Sequence, residues 1–299
     1  MTQSPQRRLV TVHAPAKVNL DLRILGKRGD GYHDLRTILQ SVSLHDTLTV
    51  TRRAGPLTVR SRTRSLPRDE ANLVWTAAEV LCESLGYRGP PQGVAIAITK
   101  RIPMAGGLGG GSSDAAAALR GLGALWNVNP SPRRLRELAA QIGSDVPFFL
   151  SGGLALGVGR GDRLRRLADL DRHWIVLAVP AFGVQTASAY QWHDTLAPAA
   201  LPPLPRSWRG RWDLLRNDLE DPVVAHHRDI ASMVDRLRKT GAVHAAMTGS
   251  GSTVYALYQR QADAIAARRK VRKAGWRTLV SRTVSHDEFA RLVAPSLRG

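Results

Sequence analysis

With 299 residues, 43% of them hydrophobic, the chain can bury one large core or two ordinary ones, and two domains are the better expectation. A single cysteine, Cys82, excludes an intramolecular disulfide and fits a reducing cytoplasm; no N-terminal apolar stretch reads as a signal peptide and no segment is long enough to span a bilayer. The formal charge of +19 admits nucleic-acid binding, but only six of the 43 basic residues are lysine and none cluster with interleaved aromatics, so the charge reads as arginine-rich coding bias that also steers an acidic substrate.

Alternating apolar residues predict strands near Leu9–His13, Val18–Leu25, Thr47–Thr51 and Val94–Ile98. Asn72–Leu85 has the spacing of an amphipathic helix, on which Cys82 reads as a buried thiol. A second helix is predicted from Ser112 or Ser113 through Trp126, rich in alanine, and a third over Pro132–Ile142, with Ser131 as N-cap, Pro132 at the first helical position and Gly143 as its stop. Beyond Gly152–Gly161 the character changes. Trp174–Val179 reads as a buried strand, Ala197–Pro205 as a proline-rich loop and Val223–Lys239 as one helix. Val243–Met247 and Thr253–Tyr258 read as strands joined by a turn, Ala262–Ala274 as a basic helix and Trp276–Ser281 as a last strand. Intermingled strands and helices define an α+β protein. The domains are expected over 1–155 and 156–299, with the last helix and strand free to pack back on the first.

The densest chemical signal is Pro103-Met104-Ala105-Gly106-Gly107-Leu108-Gly109-Gly110-Gly111-Ser112-Ser113, set between a strand and a helix. Glycine permits positive φ and close approach of a ligand to the backbone. A helix start offers unpaired N–H groups and the positive end of its dipole, and together these attract phosphate. Ser112 and Ser113 can add hydroxyl contacts, although one of them could serve only as N-cap. No Gly-Lys-Ser/Thr follows, which excludes a Walker loop, and no acidic ribose ligand follows at Rossmann spacing.

This loop resembles the central motif of the GHMP kinases. Two further motifs stand in that family's order: Ala14-Pro-Ala-Lys-Val-Asn-Leu near the start and Met247-Thr-Gly-Ser-Gly-Ser-Thr-Val near the end. Lys27-Arg-Gly-Asp-Gly-Tyr-His-Asp-Leu and Gly143-Ser-Asp-Val-Pro-Phe-Phe are similar to the branch of the family that phosphorylates 4-(cytidine-5'-diphospho)-2-C-methyl-D-erythritol on its 2-hydroxyl. The resemblance implies a cytoplasmic, ATP-dependent small-molecule kinase of isoprenoid precursor synthesis. It also implies a two-domain GHMP fold with the active site in the inter-domain cleft. A homoserine or mevalonate type of kinase is the alternative, and a non-enzymatic nucleotide- or nucleic-acid-binding protein a remote one.

The same resemblance distributes roles. Asp145, otherwise a turn aspartate, becomes the base for the substrate hydroxyl, and Lys17, otherwise a snorkelling edge lysine, stands beside it. Pro103 to Ser113 bind ATP. Asn19, on the same strand face as Lys17, contacts the polyol. Tyr32 stacks on cytosine and His33 bonds its edge; Thr186 and Tyr190 lie in a later substrate-binding loop, where Tyr190 would complete a cytosine sandwich. Gly249, Ser250 and Gly251 form a second backbone nest that is otherwise a hairpin turn, and Asn72 is either an N-cap or a nucleotide contact. The chain departs from the family pattern at Ala105, where glycine is common, and at Ser252, where proline is common. Magnesium is expected with ATP, no residue is assigned as its ligand, neither nucleic acid nor membrane is expected as a partner, and the oligomeric state is left open.

Overall fold

The computed structural model describes residues 9–196, 208–273 and 275–298; the predicted loop Ala197–Pro205 lies outside them. In chain order the elements are β1 (Leu9–Lys27), β2 (His33–Pro56), β3 (Thr58–Ser61), α1 (Leu73–Ser84), β4 (Gln92–Thr99), α2 (Gly110–Trp126), α3 (Pro132–Ile142), α4 (Phe148–Ser151), β5 (Leu154–Gly159), β6 (Arg163–Arg166), β7 (Trp174–Pro180), α5 (Thr186–Asp194), α6 (Glu220–His226), α7 (Asp229–Arg238), β8 (His244–Met247), β9 (Val254–Tyr258), α8 (Gln261–Lys270), β10 (Trp276–Arg282), α9 (His286–Leu292) and β11 (Ser296–Arg298).

Two sheets organise them. The first is built on the long β1–β2 hairpin, with β11 outside β1; β4 pairs with the second half of β2 and carries β3 on its far side, while β5 pairs with the first half and carries β6. The second sheet runs β10-β7-β9-β8 and is antiparallel throughout. Helices α1, α2 and α3 cover the outer face of the first sheet around Val10, Val12, Leu48, Val50 and Leu122. Helices α6, α7 and α8 cover the second around Met233, Val254 and Ala264. A further core, with Val18, Leu20 and Ile38 facing Ile175, Leu177 and Tyr255, joins the two sheets back to back. The layers are therefore helix, sheet, sheet, helix.

A bulge in the β1–β2 pairing places the chemistry. The register breaks between Pro15 and Ala16. Before the break, Val10, Val12 and Ala14 join the helix-covered core; after it, Ala16, Val18 and Leu20 join the core between the sheets. A bulge bends and twists its strand. Here it turns Lys17 and Asn19 toward the cleft.

Several expectations shift. The two strands predicted over 9–25 are one continuous β1. The single helix predicted over Val223–Lys239 is two, α6 and α7. The break falls at His227, whose ring stacks on Phe182 at 4.6 Å while His226 stacks on Trp192 at 3.9 Å, so tertiary aromatic contacts override a continuous helical pattern. Helix α2 opens at Gly110, earlier than Ser112, because Gly109 takes a left-handed conformation (φ 70°) as its N-cap. A cut at 155/156 falls inside β5, which pairs residues 154–159 with β2 of the first sheet; the change of sheet lies between Arg166 and Trp174.

The C-terminal segment returns to the first sheet. β11 pairs with Leu9–Thr11, and Phe289 of α9 is buried against Gly152, where any Cβ would overlap its ring. Phe289→Ala is expected to cost about 3–5 kcal/mol, read as a lower urea midpoint, because it leaves a void where α9 packs on the α4 turn against Gly152.

Candidate active site

A cleft of about 910 Å³ is lined by β1 and β2 of the first sheet, by the glycine loop, and by α5 and the turn after β8 from the other half. One wall is the glycine loop. The first N–H groups of α2 have no partner within the helix, and Gly109, Gly110, Gly111 and Ser112 line the cleft there. Gly107, at φ 75°, lies against the turn after β8, and a Cβ on it would overlap the carbonyl oxygen of Thr248. The backbone of Thr253 donates to Gly106 O at 3.3 Å. The two glycine motifs, some 140 residues apart in the chain, are thus in backbone contact. Ala105 occupies a left-handed conformation (φ 52°) that costs an alanine about 1 kcal/mol. Its methyl is accommodated because Gly183 lacks one: a Cβ there would stand 2.9 Å from that of Ala105.

Lys17 is the centre of the cleft floor. Its backbone N–H donates to Leu108 O at 3.1 Å, and its Nζ donates to Asn19 Oδ1 at 2.6 Å and stands 3.6 Å from Asp145 Oδ2. The Lys17 side chain is 5% exposed and that of Asp145 40%, so the cation is fixed and the carboxylate is open to a ligand. Asp145 sits in the turn between α3 and α4, anchored by the buried Val146, Phe148 and Phe149. A Cβ on Gly109 would stand 2.7 Å from the Phe149 ring and 3.1 Å from Lys17 Cγ, so this glycine leaves room for the lysine stem.

Asn19 lines the cleft beside Lys17. Its Oδ1 accepts from Lys17, its Nδ2 donates to Thr37 Oγ1 at 2.8 Å, and its backbone N–H donates to Thr248 Oγ1 at 2.9 Å. The side chain thereby holds the lysine in place. Ser113 is buried and its hydroxyl donates to Pro15 O at 2.6 Å, since one residue of helix turns it away from the cleft that Ser112 faces. Asn72 lines the cleft but caps α1, accepting from Val74 N–H, while its Nδ2 donates to Pro67 O at 2.7 Å. Thr186, at the start of α5, lies 3.0 Å from the hydroxyl of Ser250 and ties that helix to the second glycine motif.

At the opposite end Tyr32 is 53% exposed, with the Arg160 guanidinium 5.0 Å from its ring centre. Tyr190 stacks on His33 (4.8 Å, 22°), where the sequence suggested a partner for a base; burial, with the Asp145 charge adding, pushes its phenol up. His33 Nε2 lies 2.6 Å from Asp194 Oδ1, and Lys27 Nζ donates to Asp194 Oδ2 at 2.7 Å.

Sequence reasoning missed a buried cluster under the loop. Lys100, which lines the cleft, donates to Asp46 Oδ2 at 2.5 Å and to Asp114 Oδ2 at 2.8 Å. Asp46 Oδ1 also accepts the backbone N–H groups of Arg101 and Ile102. One cation cannot balance two buried carboxylates, and Asp114, whose Oδ1 has no partner, is the poorer solvated. Burial, with the Asp46 charge adding, pushes its carboxyl up to about 7 against the pull of Lys100. The available signal was Lys100 itself, set just before the loop, and an aspartate in an alanine-rich helix. Among the described residues no group of three or more His, Cys, Asp or Glu could hold a metal ion, and no helix is long and apolar enough to cross a membrane.

The fold and this cleft define an ATP-dependent small-molecule kinase. The profile of the GHMP kinases N terminal domain matches residues 72–153, and that of the GHMP kinases C terminal domain matches 204–276. The 4-diphosphocytidyl-2-C-methyl-D-erythritol kinases of Bacillus cytotoxicus and Bacillus licheniformis are 40% and 39% identical over 254 residues, covering 82% of this chain and 87% of each relative. A solved 4-(cytidine 5'-diphospho)-2C-methyl-D-erythritol kinase superposes with a TM-score of 0.76 at 32% identity, over 91% of this chain and 98% of that one. The homoserine kinase of Cytophaga hutchinsonii (TM-score 0.69, 18% identity, 100% and 99% covered) shares the fold. The chain belongs to the GHMP kinase family, in its 4-diphosphocytidyl-2-C-methyl-D-erythritol kinase branch.

Two outcomes follow from the geometry. Gly107→Ala should weaken ATP binding about tenfold or more in a nucleotide titration, because the methyl drives the two glycine motifs apart, whereas Gly86→Ala, with open space at φ 83°, should cost only about 1 kcal/mol of stability and no affinity. For Asp114, both states are protonated below 3.8; between there and about 7 the unfolded chain loses the proton and the folded chain keeps it, so this group withdraws stability as pH rises. Asp114→Asn should therefore flatten the fall in urea midpoint across that window.

Proposed function

We propose that the chain transfers the γ-phosphoryl group of ATP to the 2-hydroxyl of 4-(cytidine-5'-diphospho)-2-C-methyl-D-erythritol, giving ADP and the 2-phosphate. The observation that carries the chemistry is the Lys17–Asp145 pair, 3.6 Å apart, one cleft wall away from the N-terminus of α2. The glycine loop and α2 N–H groups hold the nucleotide phosphates. Asp145, the exposed partner, accepts the hydroxyl proton as the oxygen attacks phosphorus and the bond to the β-phosphate oxygen breaks. Lys17, held by Asn19, stays beside the transferred group and offsets its charge. Mg²⁺ carried by the nucleotide would neutralise the phosphate oxygens. Asp46 and Asp114 are committed to Lys100, so nucleotide oxygens, water and the Ser112 hydroxyl are the donors that fit it.

The cytidine end is assigned to Tyr32, which offers an exposed face for stacking, and to His33, whose ring is clamped at the base edge by Tyr190 and Asp194. Thr186 and Gly249–Gly251 are assigned to the substrate diphosphate between the two ends. The nucleotide then rests mainly on the first sheet and α2, and the cytidine on the β1–β2 turn and α5, with the domain division placed between Arg166 and Trp174.

Coupled release of ADP with the cytidine substrate, and none with homoserine or mevalonate, tests the assignment. Asp145→Asn should lower kcat about a thousandfold or more while ATP affinity changes less than about threefold, since it removes the proton acceptor and leaves the phosphate cradle intact. Lost ATP affinity with unchanged kcat would contradict the role.

A further inference from the structure

We propose that Asp194 is the positioning residue that fixes which nitrogen of His33 meets the cytosine, and thereby makes the site select cytidine over uridine. The inference rests on the assignment of His33 to the base edge given above.

Both oxygens of Asp194 have partners: Lys27 Nζ donates to Oδ2 at 2.7 Å and His33 Nε2 faces Oδ1 at 2.6 Å. The hydrogen bond from Lys27, with that from His33, holds this carboxyl below its ordinary value. An ionised carboxylate can only accept, so the hydrogen between the two residues belongs to His33 Nε2. A neutral imidazole with its hydrogen on Nε2 carries a lone pair on Nδ1. The ring cannot readily turn to exchange the two nitrogens. Tyr190 covers one face at 4.8 Å and 22°, His193 approaches edge-on at 6.4 Å, and the imidazole is largely buried. In the neutral ring Nδ1 is thus left as a fixed acceptor.

Cytosine and uracil differ at the atom such an acceptor would address. Cytosine carries an amino donor on C4; uracil carries a carbonyl acceptor there. An Nδ1 lone pair accepts from the amino group and faces uracil's carbonyl without a hydrogen between them, leaving two buried acceptors opposed. The opposite tautomer would reverse the preference. Asp194 touches neither base nor phosphate in this scheme; it acts through His33. It ends α5, whereas Lys27 and His33 flank the β1–β2 turn, so the relay spans the two sides of the cleft.

A purely structural role predicts something different. Asp194 is partly exposed, and exposed ion pairs contribute little to stability, so its loss would leave base preference untouched. The test measures kcat/KM for the cytidine substrate and for its uridine analogue, with the histidine nitrogen signals of the ¹⁵N-labelled full-length protein. Asp194→Ala should lower the cytidine-to-uridine ratio about tenfold or more, through KM rather than kcat, and His33 should leave the Nε2–H form. Asp194→Asn, whose amide carbonyl still accepts from Nε2, should hold the ratio within about threefold of the parent. A ratio unchanged in Asp194→Ala, or an Nε2–H signal that persists there, overturns the proposal. His33→Ala separates the two levels. If it abolishes the preference while Asp194→Ala does not, only the positioning role fails; if it leaves the preference intact, the assignment of His33 to the base fails with it.

Discussion

The contact between Gly107 and the carbonyl of Thr248 is the constraint on which the cleft depends. It leaves no room for a side chain, so the phosphate-binding loop of one half rests directly on the backbone of the other. The neighbouring bonds extend it: Thr253 to Gly106, Lys17 to Leu108 and Asn19 to Thr248. Lys17, the glycine loop and the second glycine motif therefore share one set of contacts, all but the bond to the Thr248 hydroxyl made by main chain alone. Positions set by backbone carry little conformational entropy to lose when a substrate binds, which suits a reaction whose catalysis is largely alignment and charge.

Charge is divided between two lysines with different tasks. Lys100 is spent on two buried carboxylates behind the loop and stabilises the frame. Lys17 meets a neutral amide oxygen and a partly open carboxylate, so its charge is not fully matched within the protein. Anionic phosphoryl oxygens complete that match. The formal charge of +19 favours the approach of such anions, while the discrimination lies in a few fixed groups.

The sequence displayed the glycine loop, both flanking motifs and most regular elements, because those rest on local signals: periodicity, caps and turn residues. Helix α3 lies where Ser131, Pro132 and Gly143 placed it. What stayed hidden depended on tertiary pairing. The middle of β2 carries Gln40, Ser41, His45 and Asp46, which spoil the apolar alternation of a strand, yet Gln40 and Asp46 meet partners across the fold, Val284 O and Lys100. β5 reads as a glycine-rich boundary until it is seen beside β2. In the site, Lys17 and Asp145 were legible through resemblance. Asn19 and Ser113 were legible as polar groups, but their partners were not, since Thr37, Thr248 and Pro15 are identified only by the fold. Asp194 gave no signal, because the hydrogen bonds that make it matter join residues 161 or more positions apart.

Three residues at the end of the chain do a further job. β11 lies along Leu9–Thr11, the outer margin of the first sheet. Without that ribbon, the N–H and C=O groups of Leu9–Thr11 on that side would face solvent, ready to pair with the same strand of another molecule. Pairing with β11 thus guards those three positions against edge-to-edge association.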